Sequence, residues 1–174
     1  MSEWKPGDVV AVKYQLLSHA QRRRTPRKLA ERLLAALPNA DVLWVAPHSA
    51  YRDLVPPERI WDERRDARTY AGPGPIIAHP PCGPWTRIRG GFMRPCEQDA
   101  EDGRIAMELV HRWGGVVEQP ASSRLFAAHG RLGAVYSFIS QGDWTSEGEH
   151  LSHKPTVLYW WADNHPVASL EDPR

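Results

Sequence analysis

The sequence predicts a single α/β domain with a mainly parallel sheet and helices on both faces, and three observations lead there. Short apolar or β-branched runs alternate with stretches of helical periodicity. Several of those runs end in loops rich in Pro, Gly and reactive side chains, as strand carboxyl ends do in such folds. The 174 residues suffice for one core and are too few for two comfortable ones, so residues 1–174 read as one domain.

The elements follow in order. Val9-Val10-Ala11-Val12-Lys13-Tyr14 is short and β-branched and predicts a first strand. Thr25 is placed to cap a helix with Pro26 at its first position. Leu29, Leu33, Leu34 and Leu37 then recur at helical spacing until Pro38-Asn39. Asp41-Val42-Leu43-Trp44-Val45-Ala46 predicts a buried strand. The charged stretch 51–70 is mixed in pattern, with part of it on a helix. Pro75-Ile76-Ile77-Ala78 predicts a third strand that runs into His79-Pro80-Pro81-Cys82, and residues 83–95 form a Gly/Arg/Pro loop. Residues 97–113 predict a helix with Ile105, Leu109 and Val110 inward, closed by Gly114-Gly115. Gly115-Val116-Val117-Glu118 is the next strand, ending at Gln119-Pro120. A short helix near 122–128 and strands at 136–140 and 156–161 complete the pattern.

Charge excludes little. Lys and Arg total 22 against 21 Asp and Glu, so nucleic-acid binding has to rest on local patches. One is Arg22-Arg23-Arg24 with Arg27 and Lys28, either a solvated face or a phosphate contact. The other is Trp85-Thr86-Arg87-Ile88-Arg89-Gly90-Gly91-Phe92, where arginines interleave with aromatic and Gly residues, a composition suited to following a strand and holding an extruded base. Trp44, Trp160 and Trp161 sit in apolar runs and read as core. Two cysteines, Cys82 and Cys96, make a poor disulfide framework. The first residues carry no apolar signal core, and no window has the roughly 18 apolar residues of a membrane span. The expected setting is a reducing cytoplasm, with both cysteines as thiols and no membrane association. His79, Cys82, Cys96, His150 and His153 are of zinc-binding type, but their spacing fits no metal pattern, and no metal is expected.

Two strand ends carry chemistry: Cys82 after one strand and Glu118 after the next. Prolines stiffen the approach to Cys82, and Arg87, Arg89 and Arg94 lie in its loop, where cations favour a thiolate. A thiolate beside a carboxyl group suits attack at C6 of a pyrimidine, which turns C5 into a carbon nucleophile while the carboxyl group holds the base edge.

Pro-Pro-Cys after an apolar strand, followed a helix later by Val116-Val117-Glu118-Gln119-Pro120, resembles the nucleophile loop and glutamate strand of DNA cytosine-5 methyltransferases. The resemblance spans roughly residues 75–161 and extends to small phage-type proteins of this kind. It implies a Rossmann-like methyltransferase-type domain, DNA as partner, Cys82 as nucleophile and Glu118 on the base edge. His79, Pro81, Trp85, Arg87, Arg89 and Lys154 are the expected substrate and DNA contacts, with Arg87, Arg89 and Lys154 meeting phosphate or developing charge. Residues 12–19 lack the family's glycine-rich turn for S-adenosylmethionine, so weak or absent binding of that cofactor is expected. Only about thirteen residues follow the last strand, which leaves no room for a separate target-recognition region. Asp62 and Asp66 are either cofactor-binding acids or members of a salt-bridged helix face.

Three functions remain open. The simplest is methyl transfer to cytosine C5. A second is exchange of an activated group on the C5 methylene of a modified uracil, without adenosylmethionine. The third is a non-catalytic DNA-binding or inhibitory relic.

Overall fold

The computed structural model describes residues 25–86, 97–144 and 154–162. The expected first strand at 9–14 and the Arg22-Arg23-Arg24 cluster lie outside them. The described chain forms α1 (Arg27–Ala36), β1 (Asp41–Leu43), α2 (Tyr51–Leu54), β2 (Ile60–Trp61), β3 (Ile76–Ala78), α3 (Glu97–Trp113), β4 (Gly115–Pro120), α4 (Leu125–His129), β5 (Val135–Ser140) and β6 (Pro155–Trp161). The six strands make one sheet in the order β2-β1-β3-β4-β6-β5. β2, β1, β3 and β4 pair in parallel, while β6 runs antiparallel to both β4 and β5.

Successive strand residues point to opposite faces, and each face buries its own core. On one side Val42, Ile77, Val116, Leu158 and Trp160 pack with Leu29, Ala30 and Leu33 of α1. On the other, Leu43, Ile76, Ala78, Val117 and Tyr159 pack with Ala106, Met107, Leu109 and Val110 of α3. Helices therefore cover both faces. β1 is followed outward by β2 and on its other side by β3, so the direction of winding reverses between β1 and β3. In open α/β sheets a crevice forms at the carboxyl edge there.

Several boundaries differ from expectation for local reasons. Pro26 itself occupies the cap position of α1, with no side-chain cap bond, and Thr25 is buried one residue earlier. β1 stops at Leu43 because Trp44 takes a left-handed conformation, φ 57°, which bulky residues adopt rarely. Segment 51–70 is one helical turn, two 3-10 turns and the two-residue β2. In α3 the buried stripe runs through Gly103, Ala106, Met107, Leu109 and Val110, and Ile105 is only partly buried at its margin. Gly114 and Gly115 both have positive φ, and a Cβ on Gly115 would collide with the Ile76 backbone. A side chain there would push β4 away from β3. Among the described residues, no helix is long and apolar enough to cross a membrane.

Candidate functional site

The register of β3 against β4 ends at Ala78 opposite Val117. The next residue on each strand, His79 and Glu118, therefore emerge side by side, on the face already carrying Ile77 and Val116. His79 Nδ1 lies 3.3 Å from Glu118 Oε2. Tyr51, fully buried at the start of α2, places its hydroxyl 3.2 Å from His79 Nε2. The other carboxylate oxygen, Glu118 Oε1, accepts from Gln141 Nε2 at 2.8 Å and from Lys154 Nζ at 3.3 Å. Gln141 and Lys154 are held together because the Gln141 N–H donates to the Lys154 carbonyl where β5 ends and β6 begins. Five residues from five segments thus form one hydrogen-bonded chain at the carboxyl edge of β3 and β4.

The charge state of this chain follows from its surroundings. Burial alone would raise the Glu118 pKa, but the Lys154 ammonium and the bond from His79 outweigh it and hold the carboxyl at about 2. Tyr51 is pushed well above the usual phenol value, first by burial and then by the Glu118 charge. His79 thus bridges Tyr51 and Glu118, with one ring nitrogen facing each.

The Cys82 loop is fastened to the strand that carries Glu118. Gln119, fully buried, donates from Nε2 to the Pro80 carbonyl at 2.8 Å, and its Oε1 accepts from the Ser123 hydroxyl at 3.1 Å. The Arg124 N–H donates to the Trp85 carbonyl at 2.8 Å, and Thr86 bridges to Ser123. Within the loop, the Cys82 carbonyl accepts from the N–H groups of Trp85 and Thr86, both at 3.1 Å. Trp85 packs onto α3 where Gly103 leaves room, since a Cβ at Gly103 would run into the indole nitrogen. The His129 ring meets the indole edge-on at 5.4 Å. The loop therefore begins at His79 on one face and ends at Trp85 on the other, with Pro81 and Cys82 half-buried between these anchors. A groove of about 470 Å³ opens beside Trp85, bounded by Glu97, Gln98, Glu101, Arg104 and His129.

Of the residues expected at the site, His79, Pro81, Cys82, Trp85, Glu118 and Lys154 come to this edge. Arg87, Arg89, Arg94, Cys96, His150 and His153 lie outside the described residues. Among the described residues, no group of three or more His, Cys, Asp or Glu is placed to hold a metal ion. Asp62 pairs with Arg52 at 2.7 Å and accepts the Arg64 N–H at 2.9 Å. Asp66 pairs with Arg68. Both acids are engaged in local ion pairs. The glycine-free stretch 12–19, where the resemblance implies a glycine-rich turn for adenosylmethionine, lies outside the described residues. Tyr51 and Gln141 were not legible as site residues, since only their position beside a strand end pointed to them. Comparison with protein-family models, curated proteins and solved structures finds no match for this chain.

Proposed function

We propose that this chain is a DNA pyrimidine-modifying enzyme that activates C5 of the base through a covalent bond from Cys82 to C6. The observation that carries the reading is the bond from Gln119 to the Pro80 carbonyl, which fixes the Cys82 loop against the strand bearing Glu118. A nucleophile and a base-edge reader have to keep a set separation for the attack geometry to hold, and this bond couples them. The parallel order β2-β1-β3-β4 with its reversal between β1 and β3 supports a Rossmann-like methyltransferase-type sheet with ligands at this edge.

The simplest product is a C5-methylated cytosine. Exchange of an activated group on the C5 methylene of a modified uracil draws support from the glycine-free stretch 12–19. Either reaction passes through the same adduct, whose formation requires no donor. Addition of the Cys82 sulfur to C6 leaves C5 basic enough to take a proton from water, so reversal exchanges the original C5 hydrogen. The test uses single-stranded oligonucleotides carrying tritium at C5 of dC or of dU. Release of tritium by the wild-type protein and none by Cys82→Ser supports the reading. No release from either base by a folded wild-type protein overturns it.

A further inference from the structure

We propose that the surface of α4 and β5 binds the DNA strand beside the target base, with Phe138 as the platform on which a flanking base stacks and Arg124 as a phosphate contact. The inference rests on the reading of DNA as the substrate and assigns a binding site apart from Cys82 and Glu118.

The register of the sheet ties this surface to the reactive edge. Gln119 pairs with Val157, and Val157 in turn pairs with Phe138. Residues directly opposite one another in antiparallel strands share a face of the sheet. Gln119, Val157 and Phe138 therefore stand in one row. Strands lie about 4.8 Å apart, which puts the Phe138 backbone about 10 Å from that of Gln119. Gln119 is the residue that holds the Cys82 loop through the Pro80 carbonyl, and Phe138 shares a face with the Trp85 end of that loop.

The helix that covers this part of the sheet leaves the Phe138 ring bare. Two residues earlier on β5, Tyr136 meets Phe126 of α4 and Tyr159 of β6, with ring centroids 6.1 and 5.3 Å apart. α4 is only five residues long and ends at His129, and Phe138 is 74% exposed. A lone exposed aliphatic side chain, such as Leu132 in the preceding turn, is ordinary. A flat aromatic face differs because every nucleobase can stack on one.

The charge around the ring favours a polyanion. From Gln119 to Gly142 the sequence contains no Asp or Glu, although the whole chain carries 21. The same stretch carries Arg124 and Arg131, both exposed. Arg124 is tied to the Cys82 loop, since its N–H donates to the Trp85 carbonyl at 2.8 Å. On the α3 side, Glu97 and Glu101 line the groove beside Trp85 and His129 and bound the acid-free surface there. A twofold contact between copies through this patch would bring the arginines against their own counterparts, with no acid of the patch to offset them. A DNA strand meets them with phosphates. Only a base outside the duplex stack can reach the Phe138 face, so the surface selects an unpaired strand and tolerates any sequence on it.

The test is equilibrium binding of a fluorescein-labelled single-stranded oligonucleotide with one central dC or dU, which needs no turnover. Phe138→Ala and Phe138→Leu should each weaken binding by about tenfold, the scale of base stacking on an aromatic side chain, and Phe138→Trp should bind as the wild type does. Arg124→Gln should reduce the slope of log affinity against log salt by about 0.7, the value for one single-strand phosphate. All four variants should keep the wild-type circular dichroism spectrum. A wild-type protein that does not bind the oligonucleotide at low salt overturns the proposal, as does Phe138→Leu binding within about twofold of wild type. A wild-type dimer that Phe138→Ala dissociates in sedimentation, with DNA affinity unchanged, would make the ring a contact between copies and overturn it too. Tritium release from the same oligonucleotides separates this site from the Cys82 addition. Binding with the expected losses but no release leaves the surface standing and removes the Cys82 step, whereas release with binding indifferent to Phe138 does the reverse.

Discussion

Gln119 reaches from β4 to the carbonyl of Pro80, 2.8 Å away, with no exposure to solvent. One buried amide therefore sets the spacing between the Cys82 loop and the Glu118 strand. Gln119→Ala leaves the buried Pro80 carbonyl without this donor, at a cost of about 1–3 kcal/mol. We expect a lower urea midpoint together with at least tenfold slower tritium release. If both stay at wild-type values, the tie has no mechanical importance.

Cys82 is expected to be the thiol that reacts with substrate. Incubation with an oligonucleotide carrying an electrophilic C6 pyrimidine analogue, followed by proteolysis and mass spectrometry, should find the adduct on the peptide containing Cys82. Finding it on the Cys96 peptide alone would move the nucleophile. Cys82→Ser should fold with an unchanged circular dichroism spectrum and form no adduct.

Glu118 predicts a specific acid sensitivity. Its folded pKa, about 2, lies below the ordinary 4.5, so the unfolded chain binds this proton more readily than the folded one. The stability it contributes is complete above about pH 4.5 and is lost as pH falls toward 2. Urea midpoints measured from pH 6 to pH 2.5 should fall over that window in the wild type, with a shallower fall in Glu118→Gln. Parallel curves for the two proteins would show that the carboxyl is not held as described.

Gly103→Ala pits helix propensity against packing. In an open helix face this change stabilises by about 1 kcal/mol. Here the added Cβ meets the Trp85 indole, and overpacking of this kind costs about 1–3 kcal/mol. A net loss in melting temperature and a change in Trp fluorescence are expected. A gain in stability would mean that Trp85 does not rest on α3.

The helix at 97–113 was legible because its apolar spacing and the Gly114-Gly115 stop mark it locally. β3 and β4 were equally plain as apolar runs beside Pro-rich or Gly-rich breaks. β2 was not, because Ile60 and Trp61 hold their strand geometry through pairing with Val42 and Leu43, which no local pattern records. The expected mainly parallel sheet holds for β2, β1, β3 and β4, but the antiparallel course of β6 was not foreseen. Period-two alternation looks the same for either strand direction. At the site, Cys82 and Glu118 announced themselves through short loops of unusual composition. Tyr51 and Gln141 act only through partners 28 and 23 positions away, and the pairing of Lys154, read as meeting phosphate or developing charge, with Glu118 joins residues 36 positions apart.

The placement of β6 between β4 and β5 has a consequence for synthesis of the chain. Glu118 leaves the ribosome well before Gln141 and Lys154, the two residues that share its Oε1. Until β6 docks, the carboxylate has no lysine beside it, and closing the sheet around it would bury an uncompensated charge. Docking of the final strand pair is then favoured by an ion as well as by apolar contact. The Glu118 carboxylate is thus made before the cation that offsets its charge.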